Sequence, residues 1–198
     1  MEKYYINEYE AGLDEAGRGP LIGNVYAAAV IWTSDLNPPI NLIKDSKKLS
    51  IKKRNEAYNW IINNVKNYGI GYSTNKEIDE INILEATKLA MDRALNNLSV
   101  KPDILIIDGL GWEKKFVDYN VHSIIKGDNK YYSIAAASIL AKINHDLHIN
   151  LLCDKNNELN TFYDLKKNNG YPTKKHIEGI KNYGLTEYHR ITYKIKSI

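Results

Sequence analysis

Asp14 and Glu15 close an apolar run and lead directly into Gly17-Arg18-Gly19-Pro20, so two adjacent carboxylates stand beside a glycine-rich turn and an arginine. Asp108 follows Ile106-Ile107 and precedes Gly109, and Asp128 follows Lys126-Gly127. Carboxylates collect hard cations, and an oxygen-only ligand set selects Mg²⁺ or Mn²⁺ over zinc. Two such ions roughly 3.5–4 Å apart can activate water and steady the leaving oxygen of an in-line displacement, with no serine or histidine nucleophile. Four acids drawn from three segments therefore point to metal-dependent cleavage of a phosphodiester. Each Asp–Gly or Gly–Asp pair taken alone is an ordinary turn; their joint occurrence carries the argument. Gly17-Arg18-Gly19 is not a nucleotide-binding P-loop, because no Gly-Lys-Ser or Gly-Lys-Thr follows it.

The acids must be delivered by the elements around them. Apolar, β-branched segments near residues 9–15 and from Leu21 to Trp32 read as consecutive strands joined tightly at the glycines. Ser50 is placed to cap a helix through Tyr58, Ile61, Ile62 and Val65. A short strand over Gly69 to Ser73 precedes a long helix that Asn75 would cap, carrying Ile78, Ile81, Leu84, Leu89, Ala90 and Leu95. Asp103 to Ile107 and Val121 to Ile125 read as further strands. Ser133 would begin a helix through Leu140, Ile143, Leu147 and Leu151, and a last helix runs from a Thr173 cap to a stop at Gly184. Early consecutive strands followed by strand–helix alternation predict a mixed sheet with helices packed on it. Asp14 and Asp108 then leave neighbouring strand ends into one cleft. Acids so crowded repel one another, which raises some of their pKa values until divalent cations relieve the repulsion. Adjacent strand residues point to opposite faces, so Asp14 and Glu15 both reach that cleft only through a kink at the glycine turn or ligation by a backbone carbonyl.

At 198 residues and 43% hydrophobic content the chain suits one domain with a sizeable core. Its single cysteine, Cys153, excludes an internal disulfide and sets a reducing, cytoplasmic location as the expectation. The N-terminal stretch Met1 to Asn7 has no apolar leader, and no apolar run approaches the roughly 18 residues of a membrane span, so a soluble protein without membrane contact is expected. A net charge of +3 and a pI near 8.7 are compatible with nucleic acid. Lysines gather at Lys44 to Arg54, Lys114-Lys115, Lys126 to Lys130, Lys166-Lys167 and Lys174-Lys175, a distribution that solvated faces also produce.

Four blocks in order give the chain a likeness to a known family: Gly12 to Pro20; Asp45 to Ser50 with Lys53-Arg54; Lys126-Gly127-Asp128 leading into Ser133 to Lys142; and Gly170 to Thr173 with His189-Arg190. Together they resemble ribonuclease HII, the type 2 ribonucleases H, over nearly the whole chain. The resemblance implies an α/β ribonuclease H-like fold, a mixed sheet flanked by helices in one catalytic domain over residues 1–198. A small C-terminal helical segment, about 155–198, would complete the substrate cleft. It implies hydrolysis of RNA in RNA/DNA hybrids and cleavage 5′ of single ribonucleotides in duplex DNA, leaving 3′-hydroxyl and 5′-phosphate ends, with Mn²⁺ or Mg²⁺ in a two-metal site. By motif position Asp14, Glu15, Asp108 and Asp128 match the catalytic, metal-binding acids. Gly17, Arg18 and Gly19 match the loop that reads the ribose 2′-hydroxyl, Tyr171 the tyrosine that packs on the adjoining sugar, and Lys47 a lysine near the substrate backbone.

Asp146 falls in a matching helix segment as a supporting residue, although the family usually has a basic residue before it where this chain has His145. His122, His145, His148 and His176 read as surface or capping residues. Gly-Arg-Gly favours the HII type over HIII, which usually shows Gly-Thr-Gly; with 13 residues before Asp14, the extra N-terminal domain of HIII is not expected. The family often has proline where Asn24 follows Gly23. Recruitment by replication or repair proteins is compatible with this reading but no residue specifies it. Two competitors remain: a junction-resolving nuclease of the same fold, which would share the acids but lack the 2′-hydroxyl loop, and a non-catalytic duplex-binding module, which would gain nothing from acids facing phosphate.

Overall fold

The apolar run that ends in the two acids forms β1 (Glu10–Ala16), and antiparallel pairing joins it to β2 (Val25–Ile31), with Asp14 opposite Ala28 and Glu15 opposite Ala27. The computed structural model describes Met1 and residues 9–195; Met1 aside, the N-terminal stretch read as lacking a leader lies outside them, as do residues 196–198 of the C-terminal segment. β3 (Tyr68–Ser73) pairs antiparallel with β2, while β4 (Ile104–Asp108) and β5 (Asn120–Ile124) add in parallel beyond β1. The sheet order is β3-β2-β1-β4-β5, so the mixed sheet expected from the sequence is present. Pairing of β1 with β4 sets Leu13 beside Ile107, which brings Asp14 and Asp108 to adjacent strand ends.

Helices cover both faces. α1 (Ile51–Asn64) starts at the Ser50 cap, whose Oγ accepts from Lys53 N at 3.3 Å. α2 (Asn75–Asn96) is capped by Thr74 rather than Asn75, because Thr74 and Glu77 form a reciprocal capping box. Inside α2, Asn82 departs from helical geometry (φ 68°, ψ 165°), and its Oδ1 accepts from Leu84 N and Glu85 N, so it caps the second half of a kinked helix. α3 (Tyr132–Lys155) is the central helix, beginning one residue before the expected Ser133. α4 (Asn157–Tyr163) and α5 (Leu165–Asn168) precede α6 (Lys174–Tyr183), which has its expected Thr173 cap and stops at Gly184. The segment Leu21 to Asn24 is not strand; it stays buried, and Ile22 bridges His189 instead.

Ala11, Leu13, Ala27 and Ala29 pack with Ala90, Met91 and Ala94 of α2 on one face, while Ala28 and Val30 meet Ala57 and Ile61 of α1 and the Ala135-Ala136-Ala137 run of α3 on the other. α3 can lie this close to β1 because residue 12 is glycine: a Cβ there would stand 2.4 Å from the Ser133 carbonyl carbon. A separate cluster of Ile149, Leu159, Tyr163, Leu165 and Ile180 holds α4 to α6 against the far end of α3. Among the described residues no helix is long and apolar enough to cross a membrane.

Candidate active site

Asp14 lies on the α3 side of β1, buried, where it accepts a hydrogen bond from the Ser138 hydroxyl and, at 2.7 Å, from Glu15 N. Burial lifts its carboxyl well above the ordinary range, and the charges of Glu15 and Asp108 push the same way. Glu15 remains in β1, which runs unbroken to Ala16, so the chain turns only at Gly17 (φ +91°) and no kink separates the two acids. Its carboxylate nevertheless lines a cleft of about 290 Å³ together with Gly17, Arg18, Gly19, Ser46, Lys47, Lys142 and Tyr171. Burial raises Glu15 too, partly offset by Arg18, whose Nη1 donates to Oε1 at 3.1 Å. Its other oxygen, Oε2, is buried with no hydrogen-bond partner.

Asp108 terminates β4 and accepts from Gly127 N at 2.7 Å, which ties it to the one-turn helix Gly127–Asn129 carrying Asp128. Asp128 is buried and raised, by burial first and then by Asp45 and Asp108. Asp45, Lys47, Lys48, Asp108, Lys126, Asp128 and Asn129 border a second cleft, and Lys47 lines both. Although burial opposes its charge, the acids Asp14, Asp128, Asp45 and Asp108 hold the Lys47 ammonium above its ordinary pKa. Asp45 is thus a fifth acid at the site; its Oδ1 accepts from Lys47 N at 2.9 Å.

No group of three or more His, Cys, Asp or Glu side chains is gathered into a finished cation cage among the described residues. The donor chemistry nevertheless fits a hard divalent ion: every candidate ligand is a carboxylate, three of the four have raised pKa values, and one carries a buried oxygen lacking any partner. A cation would stabilise the charged forms that burial, and then the neighbouring acids, disfavour.

The glycine turn is braced from below by Arg190. Its guanidinium donates to the carbonyls of Gly17 (2.7 Å), Arg18 (3.1 Å), Pro20 (2.8 Å) and Gly23 (3.0 Å), and Tyr193 adds a hydrogen bond from its hydroxyl to Arg18 O at 2.6 Å. Because a trans peptide sets N–H opposite C=O, drawing the Gly17 and Arg18 carbonyls onto the guanidinium turns the N–H groups of Arg18 and Gly19 away from it. The loop is a frame of backbone donors over a buried cation, suited to a hydroxyl or phosphate oxygen. Gly17 is required twice: its φ is positive, and a Cβ would meet His145 Cδ2 at 2.3 Å. Gly19 leaves room for Tyr171, whose Cε1 would lie 3.2 Å from an added Cβ.

Asp146 ties α3 to α1. Lys142 Nζ donates to it at 2.7 Å, His145 Nδ1 lies at 3.1 Å and Arg54 at 3.7 Å. Burial opposes its charge, but the hydrogen bonds from His145 and Lys142 prevail and keep the carboxyl below its ordinary range. Lys142 also stands 5.8 Å from the Tyr171 ring centre. The reading of His145 and His176 as surface or capping residues is corrected: both rings are wholly buried, one beneath Gly17 and the other beneath Tyr171, while His122 and His148 are part-exposed. Arg190 entered the sequence reading only inside a matching block. The sequence around it gives no sign of burial, since its partners are backbone carbonyls some 170 positions away.

A mixed five-stranded sheet with acids at the ends of its central strands defines a nuclease of the ribonuclease H fold. The family model described as Ribonuclease HII matches residues 11–196, and the chain belongs to the ribonuclease HII family. It is similar to the ribonuclease HII of Rickettsia bellii (50% identity; 98% of this chain, 93% of that protein) and of Bacteroides thetaiotaomicron (48%; 96% and 93%). Among solved structures it resembles ribonuclease H2 from Pyrococcus horikoshii (TM-score 0.71, 30% identity, 93% of each chain). It likewise resembles the chain in the PCNA:RNase HII complex of Archaeoglobus fulgidus (TM-score 0.74, 26% identity, 96% of this chain and 97% of that one). The chain is accordingly a metal-dependent endonuclease acting on RNA in RNA/DNA hybrids.

Proposed function

We propose that the enzyme cleaves 5′ of ribonucleotides, including single ones embedded in duplex DNA, and leaves 3′-hydroxyl and 5′-phosphate ends. Asp14, Glu15, Asp108 and Asp128 would hold Mg²⁺ or Mn²⁺ at a two-metal site within one catalytic domain. The observation that carries this reading is the juxtaposition of those acids with a turn whose amides are aimed by Arg190. Divalent ions, when bound, supply activation of the attacking water and charge stabilisation at the phosphate.

The protein's own groups do the rest. Gly17, Arg18 and Gly19 present backbone donors where a ribose 2′-hydroxyl can be read, the group that separates RNA from DNA. Tyr171 stands against Gly19 and offers its ring to the adjoining sugar. Lys47 neutralises a substrate phosphate, and Asp146 holds Lys142 and His145 beneath the cleft. The archaeal neighbour's complex with PCNA supports recruitment of this chain by a replication protein.

The test is incubation with a DNA duplex carrying one ribonucleotide, with Mg²⁺, with Mn²⁺ and with chelator, beside an all-DNA duplex. Metal-dependent incision on the 5′ side of the ribonucleotide alone is expected. Cleavage only within long hybrids, or of the all-DNA duplex, would remove the single-ribonucleotide reading.

A further inference from the structure

Two buried imidazoles lie outside the acid cluster and stand nose to nose. His176 of α6 and His189 are 0% and 1% exposed, and their Nε2 atoms are 3.2 Å apart. The neighbouring bonds fix which nitrogen holds each proton. Thr186 N, which can only donate, points at His189 Nδ1 from 2.9 Å, so that nitrogen is bare, the Thr186 hydroxyl, also 2.9 Å away, donates to it as well, and the ring proton is on Nε2. His189 Nε2–H therefore donates to His176 Nε2. The His176 proton is then on Nδ1, where it donates to the carbonyl of Tyr171 at 3.0 Å. Every link from Thr186 to Tyr171 has one direction, and both rings are neutral.

What the chain of bonds joins is equally specific. At one end His189 bridges Ile22 and adjoins Arg190, the brace of the glycine turn; at the other is Tyr171, whose ring stands against Gly19. We propose that His176 and His189 are positioning residues: a directional imidazole relay, each ring locked in one tautomer, that fixes Tyr171 relative to the glycine turn. The proposal rests on the reading of Tyr171 as a substrate contact.

A second proton on either ring breaks the relay. On His189 it would set N–H against the Thr186 N–H; on His176 it would set N–H against the His189 N–H. The surroundings oppose that proton. Tyr163 of α4 presents its ring edge-on to both imidazoles, with centres 5.8 and 5.0 Å away. On α6 itself, Lys175 pairs with Asp164 and Lys174 with Glu178, so neither acid turns to the rings. Burial, and the neighbouring His176, hold His189 down to about 4; burial also lowers His176.

Two measurements test the relay. Long-range proton–nitrogen spectra of the full chain are expected to show His176 protonated at Nδ1 and His189 at Nε2, unchanged from about pH 8 to about pH 6. The opposite tautomer at either ring, or an ordinary titration, would overturn the relay whatever Tyr171 does. In kinetics on the ribonucleotide-containing duplex, His176→Leu is expected to raise KM about tenfold with kcat within about threefold, and His176→Asn, which keeps a donor near Nδ1, to recover most of that loss. Melting curves check that both variants fold. In a Tyr171→Ala background His176→Leu should add almost nothing, because its effect runs through Tyr171. An undiminished effect there would show a merely structural histidine. If instead Tyr171→Ala alone leaves KM unchanged, the substrate-contact reading fails, while the tautomer spectra still decide the relay.

Discussion

Arg190 Nη2 donates to the carbonyl of Gly17 at 2.7 Å, and these two residues are 173 positions apart in sequence. One buried guanidinium thereby shapes a turn that no local sequence preference would hold in place. Removing it strands the carbonyls of Gly17, Pro20 and Gly23, while that of Arg18 keeps its bond from the Tyr193 hydroxyl. Arg190→Ala is expected to lower stability by about 3 kcal/mol or more, since bonds to a charged donor are worth roughly 1.5–3 kcal/mol each and the orphaned acceptors add to the loss. Arg190→Lys, with one compact ammonium in place of a planar fork, should fold better yet still raise KM. Urea titration and steady-state kinetics distinguish the two effects; a KM unaltered in a folded Arg190→Lys protein would separate the brace from substrate binding.

Crowding of the acids makes the second prediction opposite in sign for stability and activity. Asp14→Asn should abolish turnover, yet raise the melting temperature of metal-free protein, because a buried charge facing Glu15 and Asp108 disappears. Added Mn²⁺ at 100 times its Kd should stabilise the unaltered protein by about 2.7 kcal/mol and the variant by much less. Equal metal-induced shifts would place the ion elsewhere.

Acidity separates the two titrating groups. Asp14, Glu15 and Asp128 have folded pKa values above their unfolded ones, so they contribute stability below the unfolded values that is lost as pH rises through the raised folded values. His148 and His189 are depressed to about 4, so their contribution is complete above about 6.5 and is lost as pH falls toward 4. Metal affinity should therefore weaken on acidification, as protons compete for the acids, while the histidines destabilise the fold over the same range. Calorimetry of Mn²⁺ binding at several pH values checks this: proton release on binding is expected, and its absence would contradict the raised acids.

At Gly17 the nearest obstacle to a side chain is the His145 ring, with the Asn24 carbonyl oxygen next at 3.0 Å. Gly17→Ala should cost about 1–3 kcal/mol from the positive φ and the collision with His145, and should impair discrimination between ribose and deoxyribose. Gly17→Ala combined with His145→Ala should regain part of the stability, as the cavity admits the methyl group. No recovery would mean that backbone strain alone sets the cost.

Lys47 faces four acids, and in the proposed function its ammonium meets a substrate phosphate. Lys47→Met should reduce the salt dependence of duplex binding by about one unit of slope. A slope equal to that of the unaltered protein would remove Lys47 from the backbone contact.

Most of the sheet was legible because apolar runs bounded by glycine and proline leave few alternatives, and Asp14 and Asp108 could be paired from their places at strand ends. Thr74 displaced Asn75 as the α2 cap because Glu77 stands at the spacing that closes a capping box. The kink at Asn82 left no trace, since apolar spacing continues on both sides of it. Burial of His145, His176 and Arg190 depends on contacts between distant segments, which local periodicity does not encode. The two neighbouring acids kept to the alternation rule: the strand stays regular, Asp14 is buried on the α3 side, and Glu15 alone of the two lines the cleft at the glycine turn, from near the end of β1.

The brace of the glycine turn has a consequence for synthesis. Chain growth from the N-terminus delivers β1 and all four acids well before residue 190. A nascent chain that has emerged through α3 can assemble the sheet and its acids, but the turn that would select ribose remains without its guanidinium. Contacts of such long sequence separation form late. On the proposed reading of the turn, the competence to choose a substrate would thus be withheld until residue 190 has been made, and a product truncated before Arg190 would carry the acids beside an unbraced turn.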